Sequence, residues 1–423
     1  MLEAKRLPVA AALVLLAAAS ACSDEGGPGS TPSDRATAPT SSARPGGNGA
    51  EPTAPQDGPG TSAGSPSSLP GASVPPSSAG TGSGTPDSCP TPDSPLPLDV
   101  EQEGKSLWVV AYAGGETTPL LLRSSDDGVT WDSACLPGTS GTLRAVEFLD
   151  ARRGWAVGFR EDARPLALRT EDGGLTWSPG KTPDGPVTLL DVSFADERRG
   201  LAVGLRPAPG PGGGAVVLRT VDGGVTWAPA SLPAGVGARL DAVSFPDASH
   251  AWSVGQAPDQ EEILLASDDG GVTWRVQELA TKARLIPRDL AFADPNTGWV
   301  VGDRLGQGAD PIPAGVVMFT SDGGKRWSEV SVSPASSLWG ISLLDAERAY
   351  AIGGGTHGLV LAKASGDARW SSRAELTSPA LQAVSFADES GAAVSQQRPC
   401  VYLTSDGGRT WRDRRLDGGD VGA

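Results

Sequence analysis

One eight-residue pattern, Ser/Thr-x-Asp-x-Gly-x-x-Trp, recurs along the chain and limits what it can fold into. It appears as SSDDGVTW (124–131), TEDGGLTW (170–177), TVDGGVTW (220–227), SDDGGVTW (267–274), TSDGGKRW (320–327) and TSDGGRTW (404–411). A degenerate copy, KASGDARW (363–370), keeps only its Trp. Successive Trp residues lie 46, 50, 47, 53, 43 and 41 positions apart. A period of this length is one supersecondary unit copied side by side. A second pattern precedes each copy. LRAVEFLDARRGWAVG (143–158) matches LDVSFADERRGLAVG (190–204), LDAVSFPDASHAWSVG (240–255), RDLAFADPNTGWVVG (288–302), WGISLLDAERAYAIG (339–353) and LQAVSFADESGAAVS (381–395). PLDVEQEGKSLWVVA (97–111) is a worn version.

Each unit reads as four short strands. In 143–177 the first is near Leu143–Phe148, the second near Gly154–Gly158, the third near Leu166–Arg169, and the fourth begins at Trp177. The runs are rich in Val, Leu, Phe and Trp, with Gly/Asp turns between them. Seven such units predict an all-β fold, a seven-bladed β-propeller of four-stranded antiparallel blades. Six blades is the alternative if the first or sixth unit is not a true blade. Trp stands out in composition, 12 against 3 Tyr and 7 Phe. Seven close the octapeptides: Trp131, Trp177, Trp227, Trp274, Trp327, Trp370 and Trp411. Four more fall at the second strand, and Trp339 opens the sixth unit. All twelve are therefore assigned to packing rather than to sugar binding.

The repeated carboxylates are Asp126, Asp172, Asp222, Asp269, Asp322 and Asp406. An Asp in a tight turn accepts backbone N–H groups, and a Gly beside it supplies positive φ. Repetition around a ring marks these residues as structural rather than catalytic. The octapeptide resembles the Asp box of the BNR/Asp-box family, found in sialidases, xyloglucan-degrading glycosidases and photosystem II stability/assembly factor-like propellers. The D/N-x-x-x-G-W-A-V-G segment followed by L-x-T-x-D-G-G-x-T-W looks most like the assembly-factor group, over essentially all of 98–416. That resemblance implies a non-catalytic binding or assembly propeller and no cofactor.

The N-terminal part is different. Lys5 and Arg6 precede an apolar run from Leu7 to Ala19, too short to span a bilayer comfortably. Ala19-Ser20-Ala21-Cys22 then resembles the bacterial lipoprotein signal, which implies lipidation at Cys22 and an extracytoplasmic, membrane-anchored protein. In residues 23–88, 46 of 66 are Gly, Pro, Ser or Thr and none is aromatic. Such a stretch cannot bury enough apolar surface to order itself, so it is expected to be a disordered linker. The domains are thus a signal at 1–22, a linker at 23–88 and a propeller at 89–423.

A net charge of −16 argues against nucleic acid as a partner. Two histidines, His250 and His357, leave little for a metal site. A sialidase needs an arginine triad and a Tyr nucleophile, yet Tyr occurs only at 112, 350 and 402. A xyloglucan hydrolase needs two facing carboxylates, usually between tandem propellers. A protein-binding scaffold is therefore the favoured reading. A glycosidase or carbohydrate-binding surface propeller is the alternative, and the protein is expected to be a monomer.

Two regions could act. The loops between second and third strands (159–165, 205–214, 256–262, 303–315) are long and acid-leaning. The first turn of the blades instead carries Arg152, Arg153, Arg198, Arg199 and Arg348. These either pair with Asp150, Asp196 and Glu197 or form a basic patch that docks a partner. Beyond Cys22, three cysteines remain. Cys89–Cys135 is favoured over Cys89–Cys400 as a disulfide.

Overall fold

The computed structural model describes residues 95–416 except 113–118, 135, 137–138, 208–212, 237–238, 258–261, 280–284, 305–313, 331, 333–335 and 366–368. The expected lipidation site Cys22, the signal, the linker and the Cys89–Cys135 pairing lie outside these residues. Cys400 is buried and disulfide-bonded. No helix among the described residues is long and apolar enough to cross a membrane.

The fold is a seven-bladed β-propeller. Each blade is one four-stranded antiparallel sheet whose strands lie in sequence order. Blades 1–7 span 96–134, 142–179, 188–229, 239–277, 285–330, 338–376 and 383–415. The worn first and sixth units are both true blades. In blade 2 the strands are Thr142–Phe148, Gly154–Phe159, Pro165–Thr170 and Ser178–Pro179, close to the sequence expectation. The outermost strand is the shortest in most blades, which limits the open edge a propeller presents. Innermost strands of neighbouring blades touch all the way round, and that of blade 1 meets that of blade 7.

The Trp excess is explained by the seams between blades. The second-strand Trp108 of blade 1 stacks on Phe148 of blade 2, ring centroids 3.6 Å apart, and Phe148 meets Trp177 edge-on. Trp155–Phe194–Trp227 and Trp252–Phe292–Trp327 repeat the arrangement. Tyr350–Phe386–Trp411 repeats it with Tyr in place of the first Trp. Each of these second-strand indoles also donates its N–H across the seam. Trp108, Trp155 and Trp252 reach the carbonyls of Gly173, Gly223 and Gly323 in the next blade. The Phe ring needs room above the second strand: a Cβ on Gly200 would sit 2.4 Å from Phe194. Trp339 differs from the other eleven. It stands on an innermost strand under Arg288, not in a blade seam.

A second device closes every seam, from the innermost strands. Asp99, Asp191 and Asp289 each accept their own neighbour's N–H and one from the next blade, Val146, Val243 and Ile341 respectively. Two residues further on, Ser193, Ser244, Ser342 and Ser385 accept the N–H of Phe245, Phe292, Phe386 and Gln102. Glu147 accepts from the Phe194 N–H and the Ser193 hydroxyl. Each of the seven seams thus carries at least one side-chain-to-backbone bond. Adjacent innermost strands belong to separate sheets and share no ladder, so side chains satisfy inner N–H groups.

Candidate functional site: an arginine-lined cleft on the Asp-box face

The Asp box behaves as its chemistry dictates. In blade 2 the Thr170 hydroxyl donates to Asp172 and accepts from the Gly174 N–H. Asp172 also accepts from the N–H and hydroxyl of Thr176. Gly173, at φ +75°, donates its N–H to the Arg152 carbonyl in the first turn of the same blade. Asp126, Asp222, Asp269 and Asp406 make the same set. At Asp322, Arg326 replaces the Thr and its guanidinium donates instead. The Thr410 hydroxyl and N–H hold Asp406 down to about 2, and Arg326 does the same for Asp322. With all their oxygens occupied, these carboxylates serve as turn braces. Their bonds also put the first and third turns of each blade on one face.

The first turn has its own brace. Asp150 accepts the N–H groups of Arg152 and Arg153, and Asp196 those of Arg198 and Arg199. Asp247, Asp294 and Asp345 cap the equivalent turns of blades 4, 5 and 6. This geometry divides the five candidate arginines. The residue three after the Asp folds back onto it. Arg153 pairs with Asp150 at 2.6 Å, Arg199 with Asp196 at 3.2 Å, and Arg348 with Asp345 at 2.7 Å. Arg153 also reaches Glu197 of the next blade. Asp150 raises the pKa of Arg153, and Asp345 that of Arg348, so both cations are committed to their own turns. The residue two after the Asp points away. Arg152 and Arg198 are exposed, and their guanidinium groups have no partner among the described residues.

The structure therefore brings Arg152, Arg153 and Arg198 together and leaves Arg199 and Arg348 out. The three line a cleft of about 710 Å³ between blades 2 and 3. Asp150, Arg169 and Glu171 of blade 2 and Glu197 and Asp222 of blade 3 complete its charged wall. Trp155, stacked on Phe194, contributes an apolar surface. The four arginines and four carboxylates of the cleft balance in formal charge, but Arg153 and Arg169 are taken up in ion pairs, which leaves the guanidinium groups of Arg152 and Arg198 as the ones free to bind. A guanidinium presents a planar fork that matches a carboxylate. His250, in the equivalent turn of blade 4, is held by Asp247. Among the described residues no group of three His, Cys, Asp or Glu side chains is arranged to hold a metal ion.

On the opposite face the strands run further into the loops than the sequence expectation, taking in Phe159, Arg206, Gln256, Glu262, Asp303 and Arg304. Asp303, read as a loop residue, ends up inside the second strand of blade 5. It is 2% exposed and pairs with Arg288 at 3.2 Å. The innermost-strand bridging residues were missed as a class. Their signal was present, because Asp-x-Ser-Phe and its variants recur in the second sequence pattern.

Comparison with known proteins agrees with this architecture. No curated protein sequence matches the chain. Among solved structures it is similar to one described as YCF48 bound to D1 peptide. That match has 17% identity and a TM-score of 0.52, and covers 73% of this chain and 91% of that one. It is also similar to an ancestral GH74 enzyme, at 12% identity and TM-score 0.56, covering 78% and 47%. Hydrazine synthase of Kuenenia stuttgartiensis matches at 10% identity and TM-score 0.53, covering 80% and 100%. At such identities these likenesses show the fold alone. The family model for photosynthesis system II assembly factor YCF48 matches residues 182–288, 240–358 and 272–417, together more than half of the sequence. On the strength of that match, the chain belongs to the YCF48 assembly-factor family of BNR propellers.

Proposed function

We propose that this protein is a non-catalytic scaffold, tethered to a bacterial envelope membrane by a lipid on Cys22, that binds a carboxylate-bearing segment of a partner protein. The observation that carries the reading is the pair of free guanidinium groups, Arg152 and Arg198, in one cleft between blades 2 and 3. A YCF48 described as binding a D1 peptide shares the fold, which supports a peptide as the kind of ligand. The long Gly/Pro/Ser/Thr-rich stretch fits a leash that lets the ring search for its partner away from the anchor.

Affinity capture tests the cleft. The double variant Arg152→Glu/Arg198→Glu is expected to lose its captured partner. Arg199→Glu/Arg348→Glu, which alters arginines already spent on their own turns, is expected to keep it. Equal recovery by both variants refutes the cleft as the docking site. The anchor is tested separately by fractionation: Cys22→Ser is expected to move the protein from the membrane fraction to the soluble one. A protein that stays with the membrane contradicts lipidation at that residue.

A further inference from the structure

The innermost strands of blades 1–6 share an irregularity. Each leaves one residue out of register with the second strand: Leu98, Arg144, Leu190, Asp241, Arg288 and Trp339. A bulge re-aims the side chain it carries, and bulges gather next to functional sites. These six occupy equivalent positions near the start of their strands, so they form one level of the central channel, nearer the mouth opposite the Asp boxes. They are partly exposed, whereas the leucines one residue before several of them, such as Leu143, Leu189, Leu240 and Leu338, are buried.

The cations here are not equivalent. Arg288 is engaged by Asp303 and lies over Trp339, 4.2 Å from the ring centroid. Arg239, just outside this level, pairs with Asp241 at 2.9 Å. Arg144 has no ion pair or hydrogen bond among the described residues. Burial and the nearby charge of Arg239 lower its pKa. The carboxylates close enough to influence it, Asp99 and Asp241, are already committed, one to two backbone N–H groups and the other to Arg239. Leu98 and Leu190 come from the blades on either side of Arg144. Two further polar atoms at this level, Nε1 of Trp339 and Oε1 of Gln382, also lack hydrogen-bond partners among the described residues.

We infer that this mouth of the central channel is a second binding site, for a small organic carboxylate with an apolar body. The Arg144 guanidinium forks the carboxylate, and Leu98, Leu190 and Trp339 face the body. A partly desolvated guanidinium without a partner gains more from a bidentate anion than an exposed one does, because water competes less. The leucines beside it favour an acid carrying hydrocarbon over a bare inorganic anion. The site is independent of the Asp-box-face cleft, which opens on the other side of the ring.

The test titrates 3-phenylpropionate, its primary amide and sulfate into the full chain, read by tryptophan fluorescence and by melting temperature. The acid is expected to bind and raise the melting temperature, with the amide and sulfate at least about tenfold weaker, the size of a charge-assisted hydrogen bond or an apolar contact. Arg144→Leu is expected to weaken the acid by about tenfold or more. Arg152→Glu/Arg198→Glu is expected to bind it unchanged, so that failure at this site and failure at the cleft can be told apart. If Arg144→Leu does not fold, Arg144→Gln gives the same reading. The proposal is overturned if the native protein does not bind the acid, if the amide or sulfate binds as tightly, or if both Arg144 variants bind as well as the native protein.

Discussion

Trp252→Ala is expected to destabilise the ring by about 3–5 kcal/mol, the range for removing a large buried aromatic. The indole is 1% exposed, stacks on Phe292 at 3.7 Å and donates to the Gly323 carbonyl of the next blade. Its loss opens a cavity in the seam between blades 4 and 5 and leaves the Gly323 carbonyl with only the Gln277 amide, at 3.4 Å, as a side-chain donor. Trp252→Phe should recover the stacking but not the N–H, and so fall between the two. Chemical denaturation measures both. A loss under about 0.5 kcal/mol for Trp252→Ala, the size of an ordinary surface substitution, would show that the aromatic relay contributes little.

The second large effect is a dependence of stability on pH. Burial in the inner ring raises Asp99 to about 7, Glu147 to about 8 and Asp289 to about 6, and pushes Glu101 and Asp191 well above the ordinary carboxylate range. Unfolded carboxyl groups titrate near 4. Between that value and about 8 the folded ring therefore holds protons that the unfolded chain has lost, and stability must fall as pH rises. The Asp boxes act in the opposite sense at the acid end. Asp322 and Asp406 are held near 2, so their contribution is present above about 4 and is lost as pH falls towards 2. The stability maximum is expected in mild acid. From pH 5 to pH 8 the melting temperature should drop by something on the order of ten degrees. Glu147→Gln removes one of the titrating groups and should flatten that slope. A melting temperature that is constant or rises from pH 5 to 8 contradicts the assignment.

The repeat made much of the architecture legible. The octapeptide, the four strands per unit and the seven units all appear in the structure where the sequence places them, because they depend on contacts a few residues apart. Thr170, Asp172, Gly174 and Thr176 assemble one turn within seven residues. The candidate site was only half legible. Five arginines stood out, but their roles split on whether a side chain lies two or three residues after a capping Asp. Arg153 and Arg199 fold back onto that Asp, and Arg152 and Arg198 do not. The inner-ring bridges were harder to read. A bulge shifts the alternation of a strand by one residue, so faces assigned by simple period-two counting go wrong beyond it.

The sequence by itself determined the ring: its seven blades, the chemistry of its turns and the purpose of nearly all its tryptophans. These follow from short-range rules repeated at a fixed period. Tertiary structure alone decided which charges are spent and which are free. Glu197 reaches Arg153 across a seam, Asp303 is drawn into a strand beside Arg288, and Ser385 closes the ring onto Gln102, 283 residues away. Such pairings depend on which blades become neighbours and on how far each bulge turns a side chain. Both are settled only when the ring closes.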